Sequence, residues 1–488
     1  MENQDKKPNI IAIIGAVVLL ILAVVGLSYA FFSAFIKNGE TAPSIEGTGA
    51  NLSLVYTDGK SVITSSNIMP GWSATKTFTV TNNGEADTYY KLNISNITNE
   101  FVDGGLTFSI ASADGGTSVA EQAVGTTTRT ISPSITIAEG ATHTYTVTAK
   151  YINLNTDQTP DLGKSFSYTI GIEASQKPTF KDIILANNEV KTPITTPGAA
   201  VSTSSEALLA SAENDYGTSY YFRGAVTNNY VEFANKCWRI VRIGGDNTVK
   251  LILHNDNISN ASNPCSSANN STTAAFVHYD GNIYKSEFNS NYNDNAYVGF
   301  MYGTPGSTTY EATHANTNKS TILTNLETWY NNNLKTYESV IDNNVFCNDK
   351  SLSSGSGYSA NATDYAARER LYTSKIPSLK CNGELSKITS KIGLITADEL
   401  AFAGYAVRGY ITTSYLKENA TGYSWWSLSP AGFYNKSLSY VFRVRSDNDA
   451  IDICNVNVDS SVRPVISLVS SITISGVSGT SEDPYVVK

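Results

Sequence analysis

The feature that most constrains this chain is an apolar run near its N-terminus, from Ile10 to Ile36. These 27 residues contain no charged residue and no proline. As an α-helix the run would be about 40 Å long, which exceeds the roughly 30 Å hydrocarbon core of a bilayer. Lys6 and Lys7 precede it, and basic flanks tend to stay in the cytoplasm. The sequence therefore predicts that residues 1–37 insert into the membrane and that the rest of the chain is exported.

Two interpretations of this segment remain open. A secretory signal has a basic start, an apolar centre and small residues before its cleavage site. Ser28-Tyr29-Ala30 fits such a site, and cleavage after Ala30 would give a secreted protein. The run is longer than the apolar centre of a typical signal, which favours an uncleaved anchor. An anchor would hold the protein on the extracellular face of the cell membrane.

The composition narrows the class of protein further. Charged residues make up 16% of the chain, well below the roughly 25% of ordinary soluble proteins. The net charge is −9, and we find no run of Lys and Arg of the kind that nucleic-acid binding requires. Nucleic acid is therefore not an expected partner. The abundance of Thr and Tyr is typical of β-rich extracellular proteins.

Residues 45–175 carry the alternation of half-buried strands. In Lys76–Thr81, Phe78 and Val80 alternate with threonines, and His143–Tyr151 repeats the pattern. Short alternating stretches with turn residues between them predict an all-β antiparallel sandwich.

The chain then changes character twice. Residues 176–212 contain Thr192–Gly198 and Ser202–Ser205, which are typical of extended, poorly packed chain, and predict a linker. Residues 213–488 contain strand patterns, of which Lys236–Ile243 is the clearest, and an amphipathic helix over Ser320–Leu334. A T-x-x-E capping box begins a second helix at Thr396. This second half is expected to be an α+β domain.

The first half resembles a known family. The leader ending in Ser28-Tyr29-Ala30-Phe31-Phe32 resembles signals cut by the SipW-type signal peptidase of Gram-positive bacteria. Gly49–Leu54, Ile68–Gly71 and Lys76–Gly84 resemble the TasA/camelysin family of biofilm-matrix proteins, and the likeness covers residues 1–175. It implies an exported jelly-roll-like sandwich at the cell surface or in the matrix.

The second half resembles a C-type-lectin-like domain of unknown function from surface proteins of gut Firmicutes. The stretches that carry the resemblance are Lys236–Arg242, Gly393–Glu399, Tyr423–Pro430 and Val462–Ile466. It implies the fold shared with formylglycine-generating enzymes and with the variable proteins of diversity-generating retroelements. It identifies no catalytic residue and no cofactor.

The cysteines suggest one disulfide before any other. There are five, so at least one is unpaired within the chain. Cys347 and Cys381 flank a segment with little apolar content. A bridge between them would restrict the unfolded chain and stabilise the fold by about 3–4 kcal/mol.

No motif predicts catalysis or a bound metal. Two His-x-Asp pairs, at 254–256 and 278–280, have residue types that bind metals, but surface hydrogen bonding is favoured. The acidic stretch 447–452 lacks the glycine and the terminal glutamate of a calcium loop, so a hairpin turn is favoured. Arg463 is expected to close a strand against a buried carboxylate.

The remaining candidate site is the stretch 433–460. Retroelement-varied lectin-like proteins concentrate their variable residues near the C-terminus on a rigid sheet, and this is the matching stretch. Tyr supplies contact area at low entropic cost, and Asn supplies adaptable hydrogen bonds. We therefore expect Phe433, Tyr434, Asn435 and Tyr440 to contact a ligand. The alternative is a polar hairpin without a partner. Trp425 and Trp426, just before the stretch, are expected in the core.

These patterns predict a multidomain cell-surface binding protein. It would display a lectin-like head on a β-sandwich stalk and bind an extracellular glycan or protein. Two alternatives remain: a structural subunit of a biofilm matrix or fibre, and an extracellular enzyme on the head domain. A stoichiometric ligand favours the first, concentration-dependent filaments the second, and turnover the third.

Overall fold

The computed structural model describes residues 54–58, 68–101, 104–175, 177–408, 413–435, 437–472, 474–475 and 478–487. The chain divides into two compact units, with the boundary between Pro178 and Thr179. Most of the regular structure is β, in largely antiparallel sheets, as the alternating patterns predict. Within these ranges no helix is long and apolar enough to cross a membrane. The predicted segment Ile10–Ile36 lies outside the described residues.

The first unit consists of two antiparallel sheets. Five strands have the order β1-β2-β7-β4-β5, and three have the order β6-β3-β8. In chain order, the strands β1 to β8 are Leu54–Asp58, Trp72–Asn82, Thr88–Asn99, Leu106–Ser112, Val119–Ala123, Arg129–Ile137, Thr142–Tyr151 and Phe166–Ser175. A 3₁₀ turn spans Thr159–Asp161.

Strand alternation decides which side chains of this unit are buried. Phe78 and Val80 of β2 are buried together with Tyr145 of β7, while the threonines between them face outward or are half-buried. Tyr90 and Leu92 of β3 come from the other sheet and belong to the same core. A core shared by two sheets is consistent with the predicted sandwich. Pro133 lies in β6, which is an edge strand, where a missing N–H is tolerated.

The second unit contains two larger sheets and several short hairpins. One has the order β27-β13-β12-β11-β29-β28, with β10 on β12 and β9 on β10, and the other has the order β16-β26-β23-β21-β20, with β24 on β23 and β25 on β24. The strands β9 to β29 are Ala207–Asn214, Gly217–Gly224, Tyr230–Phe233, Lys236–Ile243, Val249–Asn255, His278–Tyr279, Asn282–Ile283, Lys285–Ser286, Met301–Tyr302, Asn318–Lys319, Asn344–Cys347, Leu352–Gly355, Thr363–Tyr365, Lys387–Ser390, Trp425–Tyr434, Leu438–Val444, Ile451–Asn455, Ser460–Ser461, Val465–Leu468, Ile474–Ser475 and Tyr485–Val487.

Short helices connect these strands. The α-helices α1 to α5 are Phe180–Asn187, Tyr310–Thr313, Thr321–Asn333, Ala366–Arg368 and Ala397–Phe402, and a π-helix over Glu369–Ser374 continues α4. Short 3₁₀ turns span Ser267–Asn269, Asn295–Val298, Lys335–Tyr337 and Glu384–Ser386.

Several local predictions in this unit are confirmed. Strand β12 has the predicted bounds Lys236–Ile243, and it pairs with β13 as a hairpin. Helix α3 begins after Ser320, whose side chain accepts a hydrogen bond from the Leu323 N–H, and it buries Leu326 and Trp329 as its spacing predicts. Buried residues from both sheets and from α3 form one core cluster.

The predicted linker 176–212 is wrong for most of its length. Residues from Thr179 onward belong to the second unit, so the domain predicted as 213–488 begins 34 residues earlier, at 179. Helix α1 buries Phe180 and Ile184, and β9 pairs along its whole length with β10. The stretch between α1 and β9 is rich in Thr, Ser and Pro, so its local composition is that of a loose chain, and one glutamate in it provides a link to the core.

The glutamate is Glu206, which forms a fully buried ion pair with Arg223. Glu206 Oε1 lies 2.6 Å from Arg223 Nε, and the two side chains are 1% and 0% exposed. Thr195 donates its hydroxyl to the same carboxylate, 2.6 Å away, and accepts a hydrogen bond from the guanidinium, 2.8 Å away. The polar stretch before β9 is therefore tied to the core.

The Glu206–Arg223 pair predicts how far the second unit can be shortened at its N-terminus. Fragment 179–488 is expected to melt cooperatively, whereas fragment 213–488 is expected to be strongly destabilised or unfolded. Removing the carboxylate leaves a buried guanidinium unpaired, which costs about 3–5 kcal/mol. Thermal unfolding of both fragments tests this.

A point variant tests the same ion pair. Glu206→Gln in fragment 179–488 should also destabilise the fragment, and Glu189→Gln is the matched control, because Glu189 is largely exposed. Equal melting temperatures for the two fragments would contradict the assignment.

The cysteines form two disulfides. Cys347 is bonded to Cys381, the pair expected first from the sequence, and Cys237 is bonded to Cys265. Cys454 is a free, buried thiol. We expect an alkylating reagent to modify one thiol per chain, at Cys454, and only after denaturation without reductant. Peptide mass spectrometry checks this. Labelling of Cys347 or Cys381 under those conditions would contradict the pairing.

Candidate functional site

The β23–β24 hairpin brings two of the predicted ligand-binding residues together. Gly432 lies opposite Tyr440, and Tyr434 is two residues further along β23, so both tyrosines lie on the same face of the sheet. Their ring centroids are 5.2 Å apart, with planes inclined at 47°. The Tyr434 ring crosses over Gly432, since a Cβ atom at Gly432 would lie 2.0 Å from the Tyr434 hydroxyl oxygen. Glycine therefore permits this tyrosine to lie flat on the strand.

The neighbouring strand supplies an ion pair to this face. The Tyr434 hydroxyl donates to Asp364 Oδ1 over 2.6 Å. Arg368, which lies in α4 four residues after Asp364, donates to the same oxygen. The Arg368 guanidinium also lies 5.1 Å from the centroid of the Tyr434 ring, a cation–π contact. Burial acts to raise the pKa of the Asp364 carboxyl, but the Tyr434 hydrogen bond and the Arg368 charge lower it overall. Asp364 is therefore ionised at neutral pH.

A third tyrosine extends the face. Tyr372 lies in the π-helix, a type of helix that is frequent at functional sites. Its hydroxyl donates to Asp452 Oδ1 over 2.9 Å, and the Arg368 guanidinium lies 5.7 Å from its ring. Like Tyr434 and Tyr440, it is partly exposed. We call the set of Asp364, Arg368, Tyr372, Tyr434 and Tyr440 the tyrosine face.

The other predicted residues have different positions. Phe433 is fully buried, so its assignment as a ligand contact is wrong. It lies opposite the buried Ser439 and on the reverse side of the strand from Tyr434, because successive residues alternate between faces. Asn435 is exposed in the turn, with a φ of 56°. Trp425 and Trp426 are fully buried, as expected.

Three residues of the tyrosine face were not anticipated from the sequence. Asp364, Arg368 and Tyr372 come from a Ser-, Asn- and Gly-rich region without clear periodicity. The spacing of Asp364 and Arg368, four residues apart, is the one local signal, since such pairs interact on a helix. It could not show that β21 would lie next to β23, a pairing between residues about 70 positions apart in sequence.

A separate, shallow cleft is lined mainly by charged and polar residues. Glu399, at the N-terminus of α5, accepts hydrogen bonds from Arg242 over 2.8 Å and from Lys250 over 2.6 Å. Although burial acts to raise the pKa of the Glu399 carboxyl, the Lys250 and Arg242 charges lower it to about 2. Glu399 also completes the predicted capping box with Thr396.

The opposite side of the cleft is held by Arg370. Its guanidinium makes two hydrogen bonds of 2.9 Å to the Asp398 carboxylate and one of 2.7 Å to Asp349. These acidic groups are thus occupied by protein cations. Arg242, Lys250 and Arg370 thus pair with the acidic residues of the cleft, and these pairs form a network that joins α5 to its surroundings.

The residues described here contain no group of three His, Cys, Asp or Glu side chains suited to a metal. The expected surface role of the first His-x-Asp pair is wrong, because His254 is fully buried in β13. Asp256 is also buried and pairs with Lys236 over 2.7 Å.

Comparison with known proteins assigns no family and no function to this chain. No protein-family model matches this chain, and no curated protein matches its sequence. The function is therefore inferred from side-chain geometry and residue chemistry.

The Glu399 network generates a prediction about stability. Glu399→Gln should lower the free energy of unfolding of the second unit by about 3 kcal/mol or more, because it leaves Lys250 buried without a carboxylate. Since folding lowers the pKa of this carboxyl, its contribution is complete above about pH 4.5 and is lost as the pH falls toward 2. The variant should therefore lose less stability on acidification than the wild type. Urea unfolding at several pH values tests this. Glu384→Gln, at a side chain that is 87% exposed, is the control, and equal effects of the two variants would contradict the prediction.

Proposed function

We propose that this chain is a cell-surface binding protein whose second unit contacts an extracellular glycan or protein through the tyrosine face. The second unit is then a C-type-lectin-like head, and the first unit separates it along the chain from the apolar segment Ile10–Ile36. The observation that carries the proposal is the arrangement of Tyr434 and Tyr440, which are partly exposed and held beside a paired Arg and Asp.

The tyrosine face is pre-organised. The Tyr434 ring packs against Gly432, and its hydroxyl donates a hydrogen bond to Asp364. The Arg368 guanidinium lies over the ring. Side chains that are already ordered lose little entropy when a ligand binds, so more of the contact energy becomes affinity. Tyrosine suits this role because it has a large apolar ring, few rotatable bonds and a polar tip.

The chemistry of the face matches two classes of ligand. Aromatic rings pack against the C–H face of a sugar or against aliphatic and aromatic side chains of a protein. The ionised Asp364 accepts hydrogen bonds from hydroxyl or N–H groups, and Arg368 donates to carboxylates or carbonyls. Their side chains are 31% and 35% exposed, so a ligand can reach both.

Glycan and protein arrays test this proposal. The arrays are probed with fragment 179–488 after its cooperative melting has been verified, and we expect a ligand that binds with fixed stoichiometry. Tyr434→Ala combined with Tyr440→Ala should then weaken binding at least tenfold, or about 1.4 kcal/mol. Isothermal titration calorimetry measures the loss, and melting curves show whether the double variant remains folded.

The matched control replaces two exposed tyrosines elsewhere in the same unit. Tyr216 and Tyr279 are 52% and 37% exposed, and Tyr216→Ala with Tyr279→Ala should leave the affinity unchanged. Unchanged affinity in the folded Tyr434/Tyr440 variant would place the binding site elsewhere. Filaments that form at increasing concentration of the full chain, without any bound ligand, would favour the matrix or fibre subunit instead.

A further inference from the structure

The core of the second unit contains a guanidinium group without a carboxylate. Arg463 is 0% exposed, and it donates from Nε to the Leu253 carbonyl over 2.8 Å and from Nη1 to the Leu416 carbonyl over 2.6 Å. Its Nη2 atom is buried and has no hydrogen-bond partner. The expected buried carboxylate for Arg463 is therefore wrong, since both of its partners are backbone carbonyls.

A second buried guanidinium lies nearby. Arg239 is also 0% exposed, and its guanidinium lies 5.2 Å from the ring centroid of Tyr415, the residue before the Leu416 carbonyl that Arg463 contacts. Burial, together with repulsion from the Arg239 charge, lowers the pKa of Arg463 to about 10. Both groups remain cationic at neutral pH.

The carboxylates of this region already have partners. Glu418 lies 3.0 Å from Arg239, and Asp449 lies 2.7 Å from Lys417. Glu399 is held by the network at the cleft. An isolated charge in a protein interior costs several kcal/mol unless it is neutralised. The charge of Arg463 is thus left without a counter-charge from these carboxylates.

Other buried groups without hydrogen-bond partners lie in the same core. The Tyr415 hydroxyl and the Trp425 Nε1 are both buried without a hydrogen-bond partner, and the Arg463 guanidinium lies 5.1 Å from the Trp425 ring. His254 follows the Leu253 carbonyl that Arg463 contacts, and its Nδ1 atom is also unpartnered. The Asn419 amide lies 3.3 Å from His254 Nε2, and where that nitrogen accepts, the ring proton is on Nδ1. Each of these unmatched groups can therefore donate a hydrogen bond, and they share the core with the unmatched charge of Arg463.

From this arrangement we infer that the second unit binds a small monovalent anion of the chloride type in its core, between the Arg463 guanidinium and the Tyr415 hydroxyl. Buried polar groups without a protein partner are commonly satisfied by water or an ion. Unpaired donors on a buried cation select a negatively charged acceptor, because it satisfies the hydrogen bonds and neutralises the charge together. The aromatic surroundings, formed by Tyr415 and Trp425, favour a weakly hydrated anion over a polyvalent one.

Thermal unfolding in different anions tests the inference. The full chain is solubilised in non-ionic detergent and melted in sodium chloride, sodium bromide or sodium isethionate, at constant ionic strength. We expect chloride and bromide to raise the melting temperature of the second unit with saturation, because a ligand that binds only the folded state stabilises it. Isethionate, which is too bulky for a closed core, should have no such effect. Equal melting temperatures in all three salts would overturn the inference and assign the position to water.

Two tyrosine variants locate the site without removing the buried arginine. Tyr415→Phe removes one proposed donor and should raise the chloride concentration for half-maximal stabilisation by about tenfold. Tyr330→Phe is the matched control, because the Tyr330 hydroxyl is also buried without a partner but belongs to α3. Its chloride dependence should be that of the wild type. Equal shifts in both variants, or an anomalous bromide peak in a crystal away from Arg463, would overturn the inference.

Discussion

The second unit depends on the carboxylate of Glu399. Its Oε1 atom accepts hydrogen bonds from Arg242 in β12 and Lys250 in β13, which belong to the larger sheet. Glu399 lies in α5. This helix also contacts the other large sheet, since the Ala397 N–H donates to Ser429 Oγ in β23 over 2.9 Å. One buried acidic side chain therefore connects two sheets through a short helix. Charges buried in this way are stable only as a complete set, which makes the network an all-or-none feature of the fold.

The position of the tyrosine face follows from this connection. Strand β23 contacts α5 through Ser429 and carries Tyr434 a few residues later. The α4 and π-helix segment has a similar double role. Arg370 pairs with Asp398 and Asp349 at the cleft, whereas Arg368 and Tyr372 belong to the tyrosine face. Because each element is held by buried pairs, the exposed side chains lie on a rigid support, which is what a pre-organised binding surface requires.

Buried charge recurs through the unit and is usually neutralised. Arg223 has Glu206, Arg239 has Glu418, and Lys250 has Glu399. Arg463 differs, since its hydrogen bonds go to backbone carbonyls and one of its nitrogen atoms has no partner. The Lys350 ammonium is also buried without a carboxylate, but three oxygen atoms accept its hydrogen bonds. The unmatched nitrogen of Arg463 therefore points to a small ligand that is held inside the fold and is separate from the face proposed for recognition.

The sequence by itself determined the local elements and the sides that they bury. Alternation in β2, the apolar run of β12 and the capped amphipathic pattern of α3 depend on neighbours within a few residues, so they can be read along the chain. Tertiary structure alone decided which distant residues meet. Glu399 and Lys250 are 149 positions apart, and no local pattern records their pairing. The same limit hid the role of Glu206 in a stretch with the composition of a linker, and it explains why both Phe433 and Tyr434 are expected from the sequence to contact a ligand although Phe433 is buried. Strand period alone predicts that the two point in opposite directions, but only the packing of the sheet shows which direction is the core.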